Sequence, residues 1–182
     1  MSPTYTRTGD DGATGQLGKE RLPKYHPRME ALGVLDEASA ALGLARALCK
    51  IPRTGELLKE VQRDLYAIMA EVAATPESAQ QFQILDPQRV QWLESQVDGI
   101  TSLAPQPGEF ILPGDSLPGA AISLARTTVR HAERRVAELF DTGEIKNRVL
   151  LQYLNRLSSL CFALELYENA QAGKPTSLAK EK

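Results

Sequence analysis

The chain has 182 residues, a formal net charge of −2 and two cysteines, which fits one domain that buries a core without disulfide or metal support. The slightly acidic balance argues against nucleic acid as the main partner, because a duplex binder normally carries a basic surplus that displaces counterions. No apolar run approaches the roughly 20 residues needed to cross a bilayer, and the first residues lack the apolar region of a leader. Two thiols are too few for a secreted disulfide framework, so we expect a cytoplasmic protein. From the charge and the hydropathy we expect no nucleic-acid partner and no membrane partner.

Apolar residues recur at intervals of three and four along five segments, which predicts an all-α fold, a five-helix bundle with an ordered glycine-rich N-terminal loop. The predicted helices cover about residues 28–49, 57–72, 87–100, 118–141 and 144–172. No segment shows the alternation that is typical of a strand. We therefore divide the chain into the loop, 1–27, which belongs to the same domain, a helical bundle, 28–172, and a polar, flexible tail, 173–182.

The N-terminal loop contains Thr-Arg-Thr-Gly-Asp-Asp-Gly at residues 6–12. Its glycines let main-chain N–H groups approach a ligand closely, while its threonines add hydroxyl donors and Arg7, Arg21 and Lys24 add positive charge. A nucleotide polyphosphate suits such a loop, although the Walker pattern of P-loop proteins does not occur. The alternative is an ordinary turn-rich arm that lies over the bundle.

The fourth predicted helix carries a polar ridge, because Arg126, Arg130 and Glu133 fall within about 60° of one another at 100° per residue. Arginine forks suit the oxygens of a triphosphate, and a nearby carboxylate suits Mg²⁺ or the orientation of an arginine. The alternative is a solvated face with one weak Arg130–Glu133 pair.

Further motifs complete a recognisable order along the chain. After the loop come Arg-Leu-Pro-Lys at 21–24, Glu-Ala-Leu-Gly-Val-Leu-Asp-Glu at 30–37, Ala-Thr-Pro at 74–76, Phe-Ile-Leu-Pro at 110–113, the arginine-rich helix, and Asn-Arg-Leu-Ser at 155–158. In this order they resemble the PduO-type ATP:cob(I)alamin adenosyltransferases over about residues 5–168. The resemblance implies a homotrimer of five-helix bundles with an active site at each subunit interface.

The resemblance also implies the reaction. The 5′-deoxyadenosyl group of ATP is transferred to the cobalt of cob(I)alamin, which yields adenosylcobalamin and triphosphate, with Mg²⁺ on the phosphates. By correspondence with the family, seven residues wrap the nucleotide: Thr6, Arg7, Thr8, Gly9, Thr14, Gly15 and Lys24. The triphosphate and Mg²⁺ are held by Arg130, Glu133 and Arg134 in the same correspondence. His131 lies in that segment, and Asn155 lies near the nucleoside. Glu133 is the one possible metal ligand.

Cobalt chemistry is implied for Phe110, Asp36 and Arg126. Phe110 corresponds to an apolar residue that excludes the lower axial ligand of cob(II)alamin, so that a cellular reductase can reduce the metal. Asp36 would pair with Arg126 across the subunit interface. The alternatives are that Phe110 only fixes its loop to the bundle and that Asp36 is an ordinary surface residue.

Four positions depart from the family pattern. Ser159 stands where a carboxylate is usual, His131 where a second arginine is usual, Asp115 where a second glycine is usual, and Leu166 where an arginine is common. These departures leave open a second hypothesis, a catalytically relaxed sensor or carrier that binds ATP and cobalamin, and a weaker third, a purely structural bundle. The enzyme hypothesis implies a reductase and an adenosylcobalamin-dependent enzyme as further partners.

Overall fold

The computed structural model describes Tyr5 and residues 7–180. In chain order its elements are strands β1 (Ala13–Gly15) and β2 (Arg21–Pro23), helices α1 (Pro27–Leu48) and α2 (Pro52–Ala73), a 3₁₀ helix (Ala79–Phe82), and helices α3 (Pro87–Thr101), α4 (Leu117–Asp141) and α5 (Val149–Gln171). The prediction of an all-α bundle with five α-helices in this part of the chain is confirmed.

Local chemistry accounts for most helix starts. Proline occupies the first turn of α1, α2, α3 and α4, where its missing N–H has no intrahelical partner to lose. The side chains of His26, Asp86 and Ser116 accept hydrogen bonds from backbone N–H groups of the helices that follow them. Because Ser116 caps α4, the helix begins at Leu117 and includes the last residues of the proline- and glycine-rich segment.

Helix α4 lies at the centre of the packing, with α1 on one side and α5 on the other, while α2 packs on α1 and α3 packs on α5. Leu35, Leu42, Ile122, Val129 and Leu157 are fully buried between them. The first turn of α1 lies beside the end of α4, because Arg28 donates to the carbonyl and carboxylate of Glu144. The two helices therefore run antiparallel.

Three details differ from the sequence prediction. Helix α2 begins at Pro52 and not at 57, because proline is tolerated in its first turn. Strands β1 and β2 form a small antiparallel hairpin within the N-terminal loop, and strands of three residues are too short to show alternation. Helix α5 begins at Val149 and not at 144, because Asn147 caps the N–H of Val149 at 3.1 Å. The residues between the helices instead carry Glu144, the partner of Arg28.

The tail predicted to be flexible has backbone partners in the structure. Leu178 forms an antiparallel bridge with Ile111, so residues 177–179 lie along the loop before α4. Within the described residues, no helix combines the length and the apolar character that crossing a bilayer requires.

Candidate functional site

The N-terminal loop is organised around the guanidinium of Arg21. Its two terminal nitrogens donate to both carboxylate oxygens of Asp11, each at 2.9 Å. Nη2 also donates to the carbonyl oxygens of Thr8, at 2.5 Å, and Ala13, at 3.0 Å. These contacts lower the pKa of Asp11 below its usual range, mainly through the hydrogen bond from Arg21. The charge of Arg21 is therefore used inside the loop and is not offered to a ligand.

The loop is attached to the bundle at the end of α2. Leu17 donates its N–H to the carbonyl of Ala73 at 2.8 Å, and its own carbonyl accepts from Thr75 and from the hydroxyl of Ser78. Gly18 lies directly against the Thr75 side chain, so a Cβ at this position would collide with it. The Ala-Thr-Pro motif thus has a structural role, which is to hold the loop.

A cavity of about 580 Å³ opens between the loop and the start of α1. Its wall includes Gly12, Lys24, Tyr25 and Glu30, and the Lys24 ammonium points back toward Gly9. The predicted residues Thr14 and Gly15 lie in β1, on the same hairpin.

Tyr5, Arg7 and Thr8 are the first described residues of the loop, and all three are exposed. Arg7 has a left-handed backbone, φ 60°, and its guanidinium lies 5.3 Å from the centre of the Tyr5 ring. Thr8 is exposed, and its carbonyl is held by Arg21. Thr6, also predicted to contact the nucleotide, lies outside the described residues.

The polar ridge of α4 faces α5 across a second, smaller cavity. Arg126 and Arg130 line this space of about 310 Å³ together with Ser158, Ser159 and Phe162. Arg130 is exposed, whereas Nε of Arg126 is buried without a hydrogen-bond partner. A buried guanidinium N–H without an acceptor is energetically costly. The hydrogen-bonding potential of Arg126 is therefore not fully satisfied within the described residues.

Glu133 and Asn155 meet next to this cavity. The amide Nδ2 of Asn155 donates to Oε1 of Glu133 at 3.0 Å, and its Oδ1 accepts from Nη1 of Arg156 at 2.7 Å. Arg156 in turn donates through Nε to Glu94 on α3 at 2.9 Å. A continuous polar row therefore crosses α4, α5 and α3. Arg134 lies one turn further along and donates to the carbonyl of Arg130 at 2.9 Å.

The structure brings the ridge residues together but keeps them apart from the loop residues. Arg130 lies eleven residues before the end of α4, about 16 Å along the helix axis at 1.5 Å per residue. The loop is tied to the end of α2, which Arg28 joins to Glu144 just after α4. Asp36 is exposed on α1, and none of the salt bridges found among the described residues joins it to Arg126. His131 is half-buried beside Arg130.

Phe110 lies in the loop between α3 and α4 with 87% of its surface exposed. It therefore does not fix the loop to its own bundle. Leu112 of the same loop and Leu117 at the start of α4 are also exposed, so the ring belongs to an apolar stretch of surface.

Glu133 is the candidate metal ligand, and its Oε1 already accepts from Asn155. Among residues 5 and 7–180, no three His, Cys, Asp or Glu side chains are grouped so that they could hold a metal ion. One available carboxylate oxygen fits Mg²⁺ that takes its other ligands from phosphates and water, as that ion commonly does.

The three departures other than His131 have distinct surroundings. Ser159 is exposed at the edge of the Arg126 and Arg130 cavity, and Leu166 is 1% exposed, so it serves packing. Asp115 accepts hydrogen bonds from the N–H and hydroxyl of Ser177, at 3.0 and 2.6 Å.

Sequence reasoning did not identify several residues that build the site. Asp11 neutralises Arg21, Arg156 orients Asn155, and Arg28 joins the start of α1 to the ends of α2 and α4. An Asp ten residues before an Arg in a hairpin, or two adjacent polar residues on α5, are weak signals before the partners are known.

Comparison with known proteins agrees with this arrangement. A family model described as cobalamin adenosyltransferase matches residues 4–168. The corrinoid adenosyltransferase of Bacillus subtilis is 39% identical over 173 residues, which cover 93% of this chain and 88% of that protein. The corrinoid adenosyltransferase PduO of Citrobacter freundii is 37% identical over 177 residues, 97% of this chain and 52% of that protein. This chain spans about half the length of the PduO proteins of Citrobacter freundii and Salmonella typhimurium.

Solved structures match over nearly the whole chain. A phenylalanine-to-alanine variant of a PduO-type ATP:corrinoid adenosyltransferase from Lactobacillus reuteri, complexed with cobalamin and ATP, gives a TM-score of 0.90 at 31% identity and covers 98% of this chain and 100% of that one. An arginine-to-lysine variant from the same organism, complexed with ATP, gives a TM-score of 0.88 at 32% identity, with coverage of 97% and 99%.

Proposed function

This chain belongs to the cobalamin adenosyltransferase family, and we propose that it transfers the 5′-deoxyadenosyl group of ATP to the cobalt of cob(I)alamin. The observation that carries the proposal is the ridge on α4. Arg126 and Arg130 line one cavity, and beside it Asn155 holds the carboxylate of Glu133 in a fixed direction. The exposed guanidinium groups of Arg130 and Arg134, next to this oriented carboxylate, suit a magnesium triphosphate.

In the proposed reaction the electron pair of Co(I) attacks the 5′-carbon of ATP. The cobalt–carbon bond forms from this pair, the bond from C5′ to the phosphate oxygen breaks, and triphosphate leaves with the electron pair of the broken C–O bond, so the cobalt ends as an alkyl Co(III). The departing group gains negative charge at its bridging oxygen. Arg130 and Arg134 would neutralise this charge, which stabilises the transition state more than the ground state.

The loop and the ridge would act on the same nucleotide from two subunits. Within one chain, Arg130 lies about 16 Å along the axis of α4 from the end near which the loop is tied. By analogy with the family, the loop of one protomer, residues 1–27, would fold over the ridge of its neighbour in a homotrimer. Arg126 is compatible with this arrangement, because it is half-buried and takes part in none of the salt bridges among the described residues. Asp36, exposed on the outer face of α1, is the carboxylate that we assign to Arg126 across the interface.

Arg7, Thr8, Gly9 and Lys24 would hold the nucleotide, with Thr6, Thr14 and Gly15 beside them. The left-handed backbone of Arg7 and the tie between Arg21 and Asp11 shape this loop before a ligand arrives, which lowers the entropy cost of binding. Mg²⁺ would neutralise phosphate charge, and Glu133 is the side chain that would hold it, through its second oxygen.

Phe110 would occupy the lower axial face of cob(II)alamin. Its 87% exposure leaves the ring free to cover a flat ligand face, and an apolar ring there offers no donor atom to cobalt. Removal of the lower ligand makes reduction to Co(I) easier. Because the reaction needs this reduction, we place the protein in the reducing cytoplasm, with a reductase before it and an adenosylcobalamin-dependent enzyme after it.

An anaerobic assay with ATP, Mg²⁺ and chemically reduced cobalamin tests the function, with absorbance read before and after illumination. We expect an ATP-dependent product whose spectrum changes on exposure to light. Arg130→Ala should abolish most of it, and Arg130→Lys should recover part, since lysine keeps the charge but loses the fork. Arg63→Ala removes an exposed arginine on α2 and should leave the rate unchanged.

Two outcomes would contradict the proposal. Tight binding of ATP and cobalamin with no product would select the sensor or carrier on the same scaffold, for which the absence of a carboxylate at Ser159 is the supporting observation. No ATP-dependent rise in melting temperature would select a purely structural bundle, because a ligand at 100 times its Kd adds about 2.7 kcal/mol of stability.

A further inference from the structure

Residues 177–179 lie antiparallel to the loop that carries Phe110 and form a backbone bridge with it. The N–H of Leu112 donates to the carbonyl of Ser177 at 2.8 Å, and the N–H of Ala179 donates to the carbonyl of Phe110 at 2.7 Å. Leu178 and Ile111 are the bridge partners between these bonds. We name residues 177–179 the carboxyl-terminal strap.

Asp115 fastens the strap at its start. Its Oδ1 accepts from the hydroxyl of Ser177 at 2.6 Å, and its Oδ2 accepts from the N–H of the same residue at 3.0 Å. Hydrogen bonds to a carboxylate are stronger than neutral ones, and these lower the pKa of Asp115 below its usual range. A glycine at this position, which the resemblance makes the usual residue, would have no side chain to offer.

The position of the Phe110 ring depends on the backbone of its loop, because the side chain makes few contacts with the bundle. With 87% of its surface exposed, the ring gains almost no packing energy from the bundle. The strap supplies backbone hydrogen bonds on both sides of Ile111, so the position of the ring follows from the position of the strap.

We propose that Asp115 and Ser177 are positioning residues, which hold the Phe110 loop through the strap so that the ring stands at the lower face of cob(II)alamin. The inference rests on the proposed function. It predicts that weakening the strap lowers the rate from cob(II)alamin more than the rate from cob(I)alamin, because cob(I)alamin already lacks a lower ligand and cob(II)alamin has to lose one.

The test compares Ser177→Ala with Ser177→Thr, which keeps the hydroxyl donor. In the assay from cob(II)alamin with a reductant, Ser177→Ala should lower the rate about fivefold, the effect of one lost hydrogen bond near 1 kcal/mol. Asp115→Gly should lower it further, because both bonds are lost. Ser177→Thr should restore the rate, and ATP affinity and the rate from cob(I)alamin should stay within about twofold. Ser95→Ala, which removes an exposed hydroxyl bonded only within α3, is the matched control.

Electron paramagnetic resonance gives a readout that a merely structural role would not move. The unpaired electron of cob(II)alamin couples to a nitrogen lower ligand, so enzyme with ATP and cob(II)alamin should show less loss of nitrogen splitting in Ser177→Ala than in the wild type. Hydrogen exchange of the free protein should be faster at the amide of Leu112 in the same variant. A Ser177→Ala protein with the wild-type spectrum, or with unchanged exchange, would overturn the proposal. Absence of product from cob(I)alamin in the wild type would instead refute the function, and the exchange result would still decide the strap.

Discussion

The amide of Asn155 is held at both ends. Its Nδ2 donates to Glu133 at 3.0 Å while its Oδ1 accepts from Arg156 at 2.7 Å. An anion on one side and a cation on the other leave a single favourable orientation of the amide. Asn155 therefore transmits the position of Arg156 to the carboxylate that we assign to Mg²⁺ and triphosphate.

Replacement of Asn155 should weaken ATP binding. Asn155→Ala frees the Glu133 carboxylate, and we expect a rise in Kd of about tenfold, since a hydrogen bond to a charged group contributes about 1.5 kcal/mol or more. Asn155→Asp should have a larger effect, because it places a second negative charge against Glu133. Calorimetric titration with ATP and Mg²⁺ measures both. Gln152→Ala, an exposed change one turn earlier on α5, is the control, and wild-type affinity in Asn155→Asp would contradict the assigned role.

Removal of the Arg28 side chain should destabilise the whole chain. Arg28 is 4% exposed and donates to the carbonyls of Val72 and Ala74 and to the carboxylate and carbonyl of Glu144. Arg28→Met leaves these acceptors without a donor, so we expect a loss of about 3–5 kcal/mol in the free energy of unfolding. Urea denaturation measures this loss. Arg63→Met breaks only an exposed pair with Glu60 and should cost less than about 1 kcal/mol. Equal effects of the two variants would show that burial of Arg28 is unimportant.

Glu165 should make the protein less stable as pH rises. Burial raises the pKa of Glu165 above its usual value, although Ser123 and Arg126 partly oppose this. Since the folded pKa exceeds the unfolded one, ionisation above the unfolded pKa costs folding energy, and this cost is absent at lower pH. Glu165→Gln should therefore raise Tm at pH 7 relative to the wild type, and the difference should shrink toward pH 4. A Tm difference that is constant across this range would refute the assignment.

Both thiols should be unreactive in the folded protein. Burial is the main cause that raises the pKa of Cys49 and of Cys161 to about 12, so little thiolate exists at pH 8. A chromogenic disulfide reagent should react slowly with the native protein and with two thiols per chain after denaturation in guanidinium. Fast reaction of either thiol in the native state would contradict the raised pKa values.

The sequence alone determined the helical fold, because the periodic apolar residues of α1 to α5 must share a core, and Asp86 and the helix-starting prolines mark boundaries through purely local chemistry. It also predicted the ridge, since Arg126, Arg130 and Glu133 follow from helix geometry. The tertiary structure decided which side chains are used up by internal contacts. Arg21 is neutralised by Asp11 across the hairpin, Asn155 on α5 is bound to Glu133 on α4, and Asp115 is bound to Ser177 sixty-two residues away. Such pairings depend on how separate segments pack against one another, and no period or local motif in the chain encodes them.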